Sequence, residues 1–192
     1  MKIIYFHGFA SSGATGTAQM LRAMLPEDEV LSPDIPVDPV DALPYLQELV
    51  ARERPDLVIG TSMGGMYAQQ MHGLRKICVN PAFNMSKLSK VLRPGTYKFL
   101  NGRKDNAKEF RITKDIVQHF YQMEMKQFKG ITDFDRENTW GLFGIHDETV
   151  NTYDLFKKYY SRAIRFDGGH SLNEKALHFT VVPLIRRIFG RE

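Results

Sequence analysis

Asp56-Leu57-Val58-Ile59-Gly60-Thr61-Ser62-Met63-Gly64 carries an apolar run straight into a turn with glycine two residues either side of a serine. A short apolar run without polar alternation is the pattern of a strand covered on both faces. The next stretch, Met63 to His72, predicts a helix. In so tight a strand-to-helix turn, side chains flanking Ser62 would collide, and glycine removes the collision. With glycine and serine each near ~7 % of residues, three such matches arise by chance about 0.06 times in a chain this long. The strand just before them makes accident rarer still.

The same punctuation recurs along the chain. Ile3 to Phe6 stops at His7-Gly8, Ile77 to Val79 at Asn80-Pro81, Trp140 to Phe143 at Gly144, and Ala163 to Phe166 at Asp167-Gly168-Gly169; Val30-Leu31 is a weaker candidate before Ser32-Pro33. Helical spacing of apolar residues fills the intervals over 17–25, 39–52, 149–160 and 173–189, with Pro183 expected to end or kink the last. Strands alternating with helices predict the α/β class, with about six parallel strands and helices on both faces.

The alternation lapses from Asn84 to about Arg136, too long for a plain loop. Residues 112–128 have helical spacing, so 84–135 is expected to be a helical cap inserted in a single domain spanning 1–192. This segment also concentrates charge. The whole chain has 26 Lys and Arg against 22 Asp and Glu, a net +4. Residues 84–135 hold eleven basic against six acidic side chains, a local +5, which leaves −1 for the rest. One reading is a set of solvated helix faces. Another is attraction of an anionic substrate through Lys87, Lys90, Arg93, Lys98, Arg103 and Lys104. A third, from a different class, is a nucleic-acid surface with Tyr97 and Phe99 as stacking groups; a nucleic-acid partner is not the expectation.

The 192 residues are 43% hydrophobic and 25% charged, ordinary for a soluble globular chain and unlike a disordered or fibrous one. The single cysteine, Cys78, has no disulfide partner and reads as a buried small hydrophobe. The apolar run from Met1 to His7 is too short for a signal peptide, and no later run approaches the ~20 residues of a spanning helix. The expectation is a cytoplasmic protein with no membrane partner.

A serine hydroxyl needs a base to take its proton before it attacks. Of six histidines, His72, His119 and His178 fall in predicted helices, while His7 and His146 sit near strand ends. His170, in Phe166-Asp167-Gly168-Gly169-His170-Ser171, follows the last strand on a loop that leads toward Ser62. The base in turn needs a carboxylate to fix its tautomer. Asp147, just beyond the Trp140–Phe143 strand, is the chosen acid, with Glu148 and Asp167 as rivals. Developing negative charge on the reacting oxygen needs backbone donors: the Met63 N–H, next to the serine, and the Phe9 N–H in the loop after the first strand.

Taken together, these residues resemble the α/β-hydrolase family over nearly the whole chain. The opening Tyr5-Phe6-His7-Gly8-Phe9-x-Ser11-Ser12 and the ending Gly168-Gly169-His170 look like the small YqiA-like esterases of bacteria. The order Ser62, Asp147, His170 is the order that fold uses. The resemblance implies Ser62 as nucleophile, His170 as base and Asp147 as acid. It also implies hydrolysis of small acyl esters or thioesters without cofactor or metal. The length and charge of 84–135 depart from the subgroup, so substrate choice is the property least safely inherited.

Rival chemistries fit less well. Gly8 to Gly16 lacks the Gly-Lys-Ser/Thr ending of a phosphate loop, and no Gly-x-Gly-x-x-Gly follows the first strand. His146-Asp147-Glu148 are consecutive and do not converge naturally on one ion. The alternative to an enzyme is a non-catalytic ligand-binding or interaction protein on the same fold.

Overall fold

Successive residues of a strand project to opposite sides, so a strand apolar at every position feeds two cores. Here Ile3, Tyr5, Leu57, Ile59, Ile77, Val79, Trp140 and Leu142 enter one apolar layer. Ile4, Phe6, Val58, Cys78 and Phe143 enter the other. The computed structural model describes residues 1–88 and 92–191. Among them six strands form one parallel sheet: β1 (Lys2–Phe6), β2 (Glu29–Leu31), β3 (Leu57–Thr61), β4 (Arg75–Val79), β7 (Thr139–Gly144) and β8 (Arg162–Phe166). A separate antiparallel pair, β5 (Gly95–Lys98) and β6 (Glu109–Ile112), lies in the 84–135 segment. The sheet order is β2-β1-β3-β4-β7-β8, which puts β3 and β4 at its centre.

Helices cover both faces. On one side α1 (Gly16–Met24) packs through Ala18 and Leu21, beside the C-terminal helical stretch. On the other lie α2 (Pro39–Glu53), α3 (Met63–Gln69) and α6 (Tyr153–Lys157). Asp38 caps α2 by accepting from the Val40 N–H, Pro39 opens its first turn, and Arg54 closes it at φ 46°. No helix among the described residues is long and apolar enough to cross a membrane.

Three predicted helices differ from expectation. Residues 149–160 yield only the five-residue α6, because the Asp147 side chain takes the Thr149 and Val150 N–H groups and turns the chain there. The 173–189 helix is divided into α7 (Glu174–Ala176), a wide π turn over Leu177–Val181, and α8 (Val182–Ile188). Pro183, which has no N–H to give the regular ladder, lies just past that turn. The helix expected over 112–128 is α4 (Lys114–Glu124): Thr113 caps it by accepting from the Ile116 N–H, and Ile112 still pairs with Gly95.

The inserted segment is therefore not wholly helical. Its β5–β6 hairpin grips the loop after β1. Phe9 packs edge-on against Tyr97 and Phe110, at ring separations of 5.9 and 5.4 Å. Leu100 N–H donates to the Ala10 carbonyl at 2.7 Å, and the Ser11 and Ser12 hydroxyls bond Asn101 and the Gly102 carbonyl at 2.8 Å each. A buried ion pair anchors the segment's far end. Asp135, in α5 (Asp133–Glu137), meets Lys76 of β4 at 2.5 Å, and both side chains are fully enclosed.

Candidate active site

The elbow begins with sterics. A Cβ on Gly60 would run into the Gly64 carbonyl, and one on Gly64 would strike the Phe6 carbonyl and lie 2.7 Å from that of His7. Only glycine lets α3 start so close to β3 and β1. Between them Ser62 is held at φ 57° and ψ −119°, a conformation that residues other than glycine rarely adopt. The neighbouring strand keeps it there: Ser62 N–H donates to Val79 O at 2.9 Å, and Ala82 N–H to Ser62 O at 3.0 Å.

This strained turn lifts the hydroxyl to the loops at the sheet's carboxyl edge. His170 Nε2 lies 2.9 Å from Ser62 Oγ, and His170 Nδ1 lies 2.8 Å from Asp147 Oδ2. The other Asp147 oxygen accepts from the Thr149 and Val150 N–H groups at 2.7 and 3.0 Å. The Asp147 side chain is only 2% exposed, so its three hydrogen-bond donors converge with little water at the acid. Nδ1–H donating to Asp147 leaves Nε2 as the acceptor for the serine proton.

The rivals lie elsewhere. Glu148 is exposed. Asp167 pairs with His146 Nε2 and Lys175 Nζ at 3.1 Å each, in solvent, and the Lys175 ammonium holds its carboxyl below the usual range. His7 is buried and fully engaged: Nδ1–H donates to Gly8 O, and Nε2 accepts from the Ile35 N–H. Burial pushes its pKa down to about 4, so it is neutral at ordinary pH. His72 and His119 lie beside Asp135 and Asp38, away from Ser62.

The two expected backbone donors flank the serine. Met63 opens α3, where a first-turn N–H has no acceptor within the helix. The Phe9 N–H bonds no other backbone group among the described residues. A Cβ on Gly8, one residue before Phe9, would sit 3.6 Å from Ser62 Cβ, which places this loop directly against the serine.

Ser62 and His170 open into a cavity of about 540 Å³. Its lining carries hydroxyls from Tyr5, Thr17 and Thr61; Tyr5 donates to Thr61 at 3.1 Å. Met85, Leu88 and Leu100 of the inserted segment add apolar surface to it. No Lys, Arg, Asp or Glu lines it among the described residues. Arg103 lies over the Phe99 ring at 4.5 Å and donates to the Ile35 carbonyl. Lys87, Arg93, Lys98 and Lys104 are exposed, and Lys90 lies outside the described residues.

One residue of this site was not singled out from sequence. Asn80 appears there only as a strand-ending turn residue. It is 2% exposed at φ 43°, and its amide bonds the Gly144 N–H and the carbonyls of Gly169 and His170. An asparagine ending an inner strand is the one available signal, since few other side chains tolerate that backbone.

A family model described as uncharacterised protein family UPF0227 matches residues 2–183. The chain belongs to that family. The likeness to YqiA-like esterases and the α/β-hydrolase fold both stand. Est1E from Butyrivibrio proteoclasticus superposes with a TM-score of 0.70 at 13% identity, over 99% of this chain and 88% of that one. The esterase domain of a Rhodothermus marinus protein gives 0.66 at 17%, over 97% and 86%. The thioesterase domain from the curacin biosynthetic pathway gives 0.58 at 12%, over 97% and 90%. At such identities the likeness is one of fold.

Proposed function

We propose that this protein is a serine hydrolase that cleaves small, uncharged acyl esters through an acyl-enzyme at Ser62. The observation that carries the reading is the continuous relay from Ser62 Oγ through His170 to an enclosed Asp147, at 2.9 and 2.8 Å. His170 takes the serine proton as Oγ attacks the ester carbonyl, and Asp147 stabilises the imidazolium. The Phe9 and Met63 amides face the negative charge that develops on the carbonyl oxygen. As the tetrahedral intermediate collapses, His170 returns a proton to the leaving alcohol or thiol. Water then enters, gives its proton to His170, and attacks the acyl carbonyl; collapse returns that proton to Oγ and frees the acid.

The esterase and thioesterase folds among its structural relatives support this class of reaction. A cavity lined by no Lys, Arg, Asp or Glu among the described residues supports a neutral group at the reacting end, with Met85, Leu88 and Leu100 offering apolar contact and Thr17 a hydroxyl. On this reading the exposed Lys87, Arg93, Lys98 and Lys104 serve as solvated faces, and the small ester is the partner. The 84–135 segment acts as the substrate-facing cap of a single domain.

Intact mass after incubation with a small fluorophosphonate tests the chemistry. One adduct is expected on the wild type, none on Ser62→Ala, and much slower labelling of His170→Ala. A folded wild type that takes no adduct and turns over no ester would move the weight to a ligand-binding protein. A panel of esters with one acyl group and neutral or anionic alcohols then tests substrate charge. Equal kcat/KM for both would sink the neutral preference.

A further inference from the structure

We propose that Asn80 is a positioning residue that fixes the distances among Ser62, His170 and Asp147, an inference that rests on the hydrolase reading above. The three side chains come from the ends of β3, β8 and β7. β4 lies between β3 and β7 in the sheet, so its end is beside both neighbouring loops. The residues leaving β4 bond all three segments. Val79 O and the Ala82 N–H hold the backbone of Ser62. Asn80 N–H donates to Leu142 O at 2.8 Å, and Asn80 Oδ1 accepts from Gly144 N–H at 2.8 Å, where the chain turns toward Asp147. Asn80 Nδ2 donates to Gly169 O at 2.9 Å and to His170 O itself at 3.0 Å.

The chemistry of the position selects asparagine. It needs one acceptor facing an N–H and two donors facing carbonyls, which a primary amide supplies and a carboxylate does not. The surrounding groups also fix the orientation of the amide, because the reversed one would set oxygen against two carbonyls. It needs a left-handed backbone, which asparagine tolerates better than most residues. At 2% exposure, bulk water does not reach the amide to substitute for these bonds. Asn80 contributes no reacting atom. It ties the loop that carries the base to the turn that carries the acid, on the same four residues that hold the nucleophile.

Two variants test this. Asn80→Gly removes the amide while accepting φ 43°, and Asn80→Asp keeps the shape but loses both donors. With a neutral ester, kcat is expected to fall about 100-fold for each, with KM little changed, as for a misplacement of roughly 1 Å at reacting groups. In Asn80→Asp the added carboxylate favours the imidazolium, so the acid limb of kcat/KM should move to higher pH. A readout independent of turnover is the low-field proton resonance of the His170 imidazole N–H, assigned by its absence from His170→Ala. It should be sharp in wild type and shifted or broadened in Asn80→Gly. If wild type hydrolyses nothing, the hydrolase reading fails, and the resonance alone still judges Asn80. Should Asn80→Gly not fold, the isosteric Asn80→Asp carries the test. A folded variant with wild-type kcat, acid limb and imidazole resonance would overturn the role.

Discussion

Two histidine–aspartate pairs span the same two loops of this molecule, and only one of them faces the serine. His170 and Asp147 meet at 2.8 Å with side-chain exposures of 25% and 2%. His146 and Asp167 meet at 3.1 Å with exposures of 66% each. The four residues alternate between the loops, so one pair turns inward and its mirror outward. They share residue types and nearly the same separation, 23 and 21 residues, in opposite order. Burial and the third partner separate them: the inner acid is fixed by two backbone amides, whereas the outer acid shares its charge with Lys175 in water.

The sharpest way to break this contrast is at the inner pair. Ser62→Ala and His170→Ala should each lower kcat for a neutral ester by about 10⁴-fold or more, measured against a fully active reference. Asp147→Asn should cost roughly 10³- to 10⁴-fold in kcat, because the wrong imidazole tautomer would be held toward the serine. At the outer pair the isosteric change Asp167→Asn should leave kcat within about twofold and stability within about 0.5 kcal/mol. A loss at Asp167 as deep as that at Asp147 would end the distinction.

A third acid sharpens it, because burial alone does not make a catalytic carboxylate. Burial pushes the Asp135 carboxyl up, but the Lys76 ammonium and the Thr132 and Gly73 amides outweigh that and hold it well below the usual range. Asp135→Asn leaves Lys76 buried and unpaired, so it should destabilise the fold by about 3–5 kcal/mol in denaturant titrations. The kcat of the protein that remains folded should change little. Because this carboxyl is depressed in the folded state, its stabilisation is present above the unfolded carboxylate range near pH ~4 and is lost as pH falls through the lower folded value. The melting temperature of wild type should therefore drop more steeply on acidification than that of Asp135→Asn.

What could be read from the chain follows the range of the forces involved. β3 and the elbow are written within nine residues, because strand burial and glycine sterics are local. That Ser62, His170 and Asp147 would come together was legible because their strand ends were. The β5–β6 hairpin was not: Gly95-Thr96-Tyr97-Lys98 and Glu109-Phe110-Arg111-Ile112 are short and mostly exposed, and they are held by aromatic contacts to Phe9, far away in sequence. Lys76 precedes the apolar run Ile77 to Val79 and draws no notice in the sequence, yet Asp135, 59 residues on, closes over it. Asn80 hides for the same reason, since its partners lie 64 to 90 residues away.

The backbone of Ser62 carries one more implication, for anyone improving this protein's robustness. A side chain at φ 57° and ψ −119° is held against its preference, at a cost on the order of 1 kcal/mol or more. Glycine at position 62 would release that tension and raise the melting temperature while removing the hydroxyl on which the proposed chemistry depends. A screen that rewards heat resistance alone would thus drift toward an inert protein, and thermostabilising libraries for this chain need an activity gate from the first round.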